Sequence, residues 1–344
     1  MGIEFGLDTF GDITRGSDGQ LLTGAQTIRN IVAEAELADA VGVDFFGIGE
    51  HHRPEFAVSS PEMVLAAIAS KTKNLRLGTA VTVLSSDDPV RVYERFATLD
   101  ALSDGRAEVV LGRGSFIESF PLFGYDLRDY EALFEEKLEL LVELLKEEPV
   151  TWSGTMRAAL ENTDVFPKTE NGLRAWVGVG GSPDSVVRVA RHGLRMMLAI
   201  IGGPAARFKP YMDLYHRAVQ SFGTPAQPVA VHSPGHIAAT DDEAWEIAYP
   251  SFAEMNDIIG QERGWPPYNR ARFQNELGPE GSLYAGSPDR VARKIADTIR
   301  TLGVQRFDLK YATGTLPHEE LMKSIELYGT EVIPRVRALL DADD

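Results

Sequence analysis

Short apolar runs, each leading into a segment of helical period with its own start signal, recur eight times along this chain. They are Ile3–Asp8, Asp44–Gly49, Leu75–Leu84, Ala107–Leu111, Ala175–Val179, Leu194–Ile201, Pro228–His236 and Arg306–Tyr311. A strand that is apolar on both faces has to be covered on both, which a parallel sheet under crossover helices achieves. Helix starts are marked by Ser60-Pro61-Glu62, Asp88-Pro89, Ser182-Pro183-Asp184 and Ser287-Pro288-Asp289, each a capping residue before proline at the first helical position. Eight such units in 344 residues fit a (β/α)₈ barrel better than an open doubly wound sheet. We expect one domain over 1–344, with insertions near 150–171 and 264–285, where periodicity stops. The stretch 264–283 reads as an excursion or mobile loop.

Composition excludes several functions. With 34 basic and 51 acidic residues the net charge is −17, so neither nucleic acid nor an anionic membrane is an expected partner. No cysteine is present, which removes disulfides, thiolate metal sites and a cysteine nucleophile. No run approaches the roughly 20 apolar residues that span a bilayer, and the first residues lack a basic and then apolar leader. The expected location is cytoplasmic.

Four stretches are candidate sites. Phe45-Phe46-Gly47-Ile48-Gly49 runs straight into Glu50-His51-His52, which places a carboxylate and two imidazoles at a strand's carboxyl edge, where barrel enzymes bind ligands. A neutral imidazole there can act as a base or hydrogen-bond a reacting oxygen; the plainer reading is two polar loop residues. Consecutive histidines on a strand point to opposite faces, so the pair is a poor chelate and no metal is expected. In Gly78-Thr79-Ala80-Val81-Thr82-Val83 small residues leave room for a flat ligand, or merely taper the strand into the core. Gly112-Arg113-Gly114-Ser115 either offers a guanidinium fork to a phosphate or carboxylate, or is a tight turn whose arginine pairs with a surface acid. In Gly178-Val179-Gly180-Gly181-Ser182-Pro183-Asp184-Ser185 glycines lead into a helix N-terminus that can hold a phosphate, or Ser182 is a simple cap. Pro183 stands where a dinucleotide fingerprint would have its third glycine. His192, His216, His232, His236 and His318 read as mostly structural, with His232 and His236 able to face the barrel mouth.

Taken together, Glu50-His51-His52, Leu77 to Leu84 with Asp88-Pro89-Val90-Arg91, Leu102-Ser103-Asp104-Gly105-Arg106, Gly112-Arg113-Gly114 and Gly286-Ser287-Pro288-Asp289-Arg290-Val291 resemble the bacterial luciferase-like flavin-dependent monooxygenase family over nearly the whole chain. The resemblance implies a (β/α)₈ barrel with insertions and a reduced FMN at its carboxyl face. It makes Ala80-Val81 a non-proline cis peptide under the flavin ring, and Arg113, Gly181, Ser182 and Ser185 the phosphate site. His51 becomes the catalytic histidine, with Glu50 as its support. Two departures stand out. Gly112 occupies the position of the luciferase's reactive cysteine, which implies a larger pocket there, and Trp265–Leu283 matches the family's mobile segment only loosely, so light emission is not expected.

The implied activity is that of a monooxygenase taking reduced FMN, O₂ and a small organic substrate. With no dinucleotide fingerprint, NAD(P)H would enter indirectly through a separate flavin reductase. The alternatives are a deazaflavin-dependent hydride-transfer dehydrogenase on the same barrel and a non-catalytic flavin-binding protein. Family resemblance also implies a homo-oligomer.

Overall fold

The computed structural model describes residues 2–114 and 116–342. Its strands are β1 (Glu4–Thr9), β2 (Phe45–Ile48), β3 (Arg76–Thr79), β4 (Thr82–Val83), β5 (Glu108–Gly112), β6 (Val150–Trp152), β7 (Leu160–Thr163), β8 (Arg174–Val179), β9 (Arg195–Ala199), β10 (Val229–Ile237), β11 (Tyr284–Gly286) and β12 (Arg306–Lys310). Nine of them, in the order β3-β2-β1-β12-β10-β9-β8-β5-β4, form a parallel sheet that curls into a nearly closed barrel. β3 and β4 are halves of one stave, so nine segments fill eight positions, and a parallel bridge from Leu77 to Ala107 helps to close the ring.

The eight apolar runs therefore sit where the sequence places them, with three differences. The run Leu75–Leu84 is not one strand: it breaks at a cis Ala80–Val81 peptide, and its pairing passes from β2 before the break to β5 after it. The irregular stretch after Pro149 contains the antiparallel hairpin β6–β7. The segment expected to be loop, 264–283, contains the helix Arg270–Leu277, begun by an Asn269 side chain that accepts from Arg272 N–H at 2.9 Å. Phe273 and Leu277 of that helix pack with Tyr268 on Ala248 and Phe252 of the long helix Asp241–Arg263. Two apolar residues on a charged octapeptide give too weak a period to read, and burial against a neighbour supplies the rest.

Strand alternation divides the barrel into two cores. Outward residues such as Phe5, Leu7, Phe307 and Leu309 join the large cluster under the helices, whereas Val110, Trp176, Met197 and Ala230 meet inside with Val81 against them. The lower interior is ionic. Arg306, fully buried, donates to Glu108 at 2.9 Å and to both oxygens of Asp308 at 2.8 and 2.9 Å, and lies 3.5 Å above the Phe45 ring centre. Trp176 Nε1 also donates to Glu108, at 2.6 Å. Gly6 is required beside this layer, because a Cβ there would lie 2.1 Å from Asp308 Oδ1. Among the described residues, no helix is long and apolar enough to cross a membrane.

Removing one partner from a buried charge network leaves the others uncompensated, at a cost of about 3–5 kcal/mol. Glu108→Ala is accordingly expected to lower unfolding free energy by that amount in a urea titration. A loss below about 1 kcal/mol would mean that Arg306 finds other partners.

Candidate active site

Above the ionic layer the interior opens into a cavity of about 310 Å³, within the range of small-molecule sites. Its wall takes residues from the carboxyl ends of nearly every stave: Asp8 and Phe10 at the end of β1, Glu50 and His51 just past β2, Thr79 to Val81 at the break from β3 to β4, Gly112 and Arg113 at the end of β5, Gly178 and Gly180 at the end of β8, and His232 on β10. Two recesses of about 210 Å³ adjoin it. One shares Gly180, Ala199 and Ile201 and adds Gly181, Arg207 and Tyr211; the other shares Phe10 and Ile201 and is walled by Phe56, Phe116, Phe252, Met255 and Trp265. A larger hollow of about 500 Å³ lies elsewhere, around Tyr284, Arg290 and Lys294. Its polar groups are engaged: Lys294 donates to the carbonyls of Gly278 and Leu283 at 2.7 and 2.9 Å, and Arg290 to that of Leu277.

His51 sits under an aromatic roof, its ring 4.3 Å from Phe56, 4.9 Å from Phe10 and 5.4 Å from Phe116 between centroids. Its Nε2 is buried with no hydrogen-bond partner among the described residues. Burial, aided by the charges of Lys310, His52 and Arg53, pushes its pKa down to about 3, so the ring is neutral near pH 7. Glu50, expected to support His51, instead takes the Nε2–H of His52 at 2.9 Å and the amide N–H of Val83 at 2.8 Å. It thereby anchors β4 just past the cis peptide and holds His52 rather than His51.

Ala80 and Val81 form one wall of the cavity. Gly112 does not enlarge it as its missing side chain implied, because a Cβ at Gly112 would lie 2.4 Å from Val81 Cγ2; the valine already fills that volume. Arg113 pairs with a surface acid, as the plainer of its two sequence readings has it. It pairs with the exposed Glu131 and also donates to Ser185 Oγ at 3.3 Å, bringing two of the residues expected at a phosphate together at the cavity edge. Ser182 begins the helix Pro183–Arg191 without a side-chain cap bond, so its hydroxyl is not spent on the helix. Gly181 borders the adjoining recess, and its carbonyl accepts from Tyr211 Oη at 2.6 Å. Ser115, included in the sequence candidate, lies outside the described residues.

Sequence reasoning passed over Asp8 and Asp308 and only touched His232, although all three line the cavity. The signal was there: Arg306, Asp308 and Lys310 alternate with apolar residues in a buried strand, which marks an inward polar face. His236, by contrast, is fully buried, with no partner for either ring nitrogen among the described residues, and is absent from the cavity wall. Among the described residues no group of three His, Asp or Glu side chains is arranged to hold a metal.

A parallel barrel with an apolar, glycine-floored cavity at its carboxyl face, an arginine and serine at one edge and an unpartnered imidazole over it defines a small-molecule enzyme site. The family model for luciferase-like monooxygenases matches residues 9–306, and the chain belongs to that family. Among solved structures, monooxygenase RslO1 from Streptomyces bottropensis superposes with a TM-score of 0.84 at 24% identity, covering 96% of this chain and 99% of that one. The oxygenating constituent of 3,6-diketocamphane monooxygenase from Pseudomonas putida, solved with FMN, gives 0.77 at 20% identity over 98% and 99%. An F420-dependent secondary alcohol dehydrogenase gives 0.74 at 17% over 98% and 100%. The chain is thus an oxidoreductase of a family whose fold serves both flavin and deazaflavin.

Because the folded His51 refuses a proton that the unfolded chain accepts near its ordinary value of 6.5, its contribution to stability is present above that pH and is lost as pH falls toward 3. Ring ¹⁵N shifts are expected to show His51 neutral from pH 5 to 8, and His51→Gln to flatten the acid side of the stability curve. A ring titrating between pH 6 and 7 would refute the burial argument.

Proposed function

We propose that this protein binds reduced FMN and, with O₂, oxygenates a small organic substrate, the reduced flavin being delivered by a separate reductase. The observation that carries the reading is one cavity with Ala80–Val81 as a flat wall and the Arg113–Ser185 pair at its edge, beside the uncapped Ser182 helix start. A ring system against the first and a phosphate at the second match FMN in shape and charge. Arg113, Ser185, Ser182 and Gly181 would hold the phosphate, with Glu131 yielding part of its claim on the guanidinium. When bound, FMN supplies the redox and oxygen chemistry. The chain's share is to fix the ring, keep water out with Phe10, Phe56 and Phe116, and offer the neutral His51 Nε2 to a hydrogen-bonding partner. Glu50 would act through Val83 and His52 by holding the ring's supporting wall in place. Association into a homo-oligomer belongs to the same proposal.

A deazaflavin is the second reading. What favours it is the recess beyond Gly180 and Gly181, where the Arg207 side chain stands ready for an anionic tail longer than FMN's.

Charge-assisted hydrogen bonds contribute about 1.5–3 kcal/mol, so Arg113→Ala is expected to weaken FMN binding roughly 10- to 100-fold while leaving riboflavin, which lacks the phosphate, nearly unchanged. Equal losses for both ligands would remove Arg113 from the phosphate site. Tight binding of the deazaflavin with none of FMN would select the second reading, and binding of neither would end both.

A further inference from the structure

Against Phe10 the cavity wall carries a second imidazole, this one paired with a carboxylate. His232 stacks on Phe10 at 5.7 Å and 9° between planes, while His51 lies 4.9 Å away on the same ring. His232 Nδ1 is 2.7 Å from Asp8 Oδ2, and both residues line the cavity while being more than nine-tenths buried. A carboxylate accepts, so Nδ1 carries the proton and Nε2 is left as an acceptor. The other carboxylate oxygen, Asp8 Oδ1, is buried and has no partner among the described residues. Leaving a buried acceptor unmade is costly, so this corner calls for a donor.

The surroundings determine what kind of donor. Asp308, paired in register with His232 across β10 and β12, lines the same cavity and is already bound by Arg306; burial pushes its carboxyl up to about 6. Lys310, on the next inward position of β12, is spent on Asp12 and Thr313, both at 3.2 Å, and on the Ala312 carbonyl, with its Nζ 4.6 Å from the Phe10 ring centre. The corner therefore offers one unsatisfied acceptor among the described residues, Asp8 Oδ1, and beside it the acceptor nitrogen His232 Nε2, against aromatic walls. An aldehyde, ketone or thioether presents only acceptors of its own and gains nothing here. A hydroxyl on an aromatic or enolic carbon is a donor, matches the phenyl surfaces, and is acidic enough to give its proton to an imidazole.

We infer that the Asp8–His232 pair binds and deprotonates the acidic hydroxyl of a phenolic or enolic substrate. In that step the O–H bond breaks and its proton passes to His232 Nε2. Asp8 holds the resulting imidazolium through Nδ1, and the electron pair stays on the substrate oxygen, enriching the adjacent ring or double bond for oxygenation. This assigns a substrate class to the cavity and rests on the reading that the same cavity takes the organic substrate.

The probe is 4-nitrophenol, whose ionised form has its own absorbance band, mixed with the full chain without flavin, with 4-nitroanisole as the counterpart that has no hydroxyl. Bound 4-nitrophenol is expected to ionise about one pH unit lower than in free solution, a tenfold shift. It should also bind at least tenfold tighter than the anisole. His232→Gln and Asp8→Asn should each abolish the shift. The comparison of the two probes on the unmodified protein stands even if a variant fails to fold. Binding of neutral 4-nitrophenol, equal affinity for the two probes, no binding, or a shift that survives in folded His232→Gln each overturns the inference. FMN affinity and its dependence on Arg113 are measured separately, so failure of the flavin reading leaves this result intact and the reverse is equally visible.

Discussion

The barrel rests on a buried guanidinium. Arg306 is enclosed by Glu108, Asp308, Phe45 and Trp176, so four staves, β2, β5, β8 and β12, meet at one cation. Taking these charges out of water is expensive, and only near-complete pairing makes the layer tolerable. Its position sets everything above it. The large side chains are consumed in the ionic floor, and the next inward positions toward the carboxyl ends are Asp8, Gly47, Gly78, Val110, Gly178, Ala199 and His232. Small and polar residues there leave a cavity where a shorter-lived packing solution would have placed leucines. Asp308 belongs to both levels, with its carboxylate bound below by Arg306 and its side chain exposed to the cavity above.

A second arginine does for the roof what Arg306 does for the floor. Arg53, nearly buried just past His52, donates to Glu55 at 3.1 Å, Glu118 at 2.5 Å and both oxygens of Glu262 at 2.5 and 2.9 Å. One side chain thus ties the loop after β2 to the segment after β5 and to the end of the long helix Asp241–Arg263. Those are the elements that carry Phe56, Phe116 and Met255 over the cavity. Many acidic residues in this chain are therefore not a diffuse solvated surface: where they converge on a single cation they assemble loops that have no strand pairing to hold them.

How much of this was legible follows from what each signal depends on. The eight staves were readable because a strand buried on both faces has to be apolar throughout, and that pattern is local. The break at Ala80–Val81 was visible only through family resemblance, since nothing in the local residue pattern sets when a strand changes neighbours. Glu50, His51 and His52 were readable as a site, but the partner of Glu50 was not. Adjacent residues on an extended chain point apart, so Glu50 and His52, two apart, share a side and meet, while His51 turns to the aromatic roof. The volume at Gly112 could not be judged from one position, because a valine from another stave occupies it. Asp8 and His232, 224 residues apart in sequence, became neighbours only when β1, β12 and β10 took adjacent places in the ring.

That adjacency leaves two imidazoles against Phe10 in different surroundings. His51 has aromatic rings and nearby positive charges, and its Nε2 has no hydrogen-bond partner among the described residues, so its neutral form is favoured near pH 7. His232 has a buried carboxylate on Nδ1, which orients the ring and can stabilise a proton gained at Nε2. The same side chain, placed twice against one phenyl ring, thus sits in two settings, one with no hydrogen-bond partner at Nε2 among the described residues and one with a carboxylate on Nδ1. In the reaction inferred above, a fixed hydrogen-bonding nitrogen and a mobile proton would both come from imidazoles, and Asp at position 8, where an apolar residue would leave Nδ1 unheld, is what distinguishes the two.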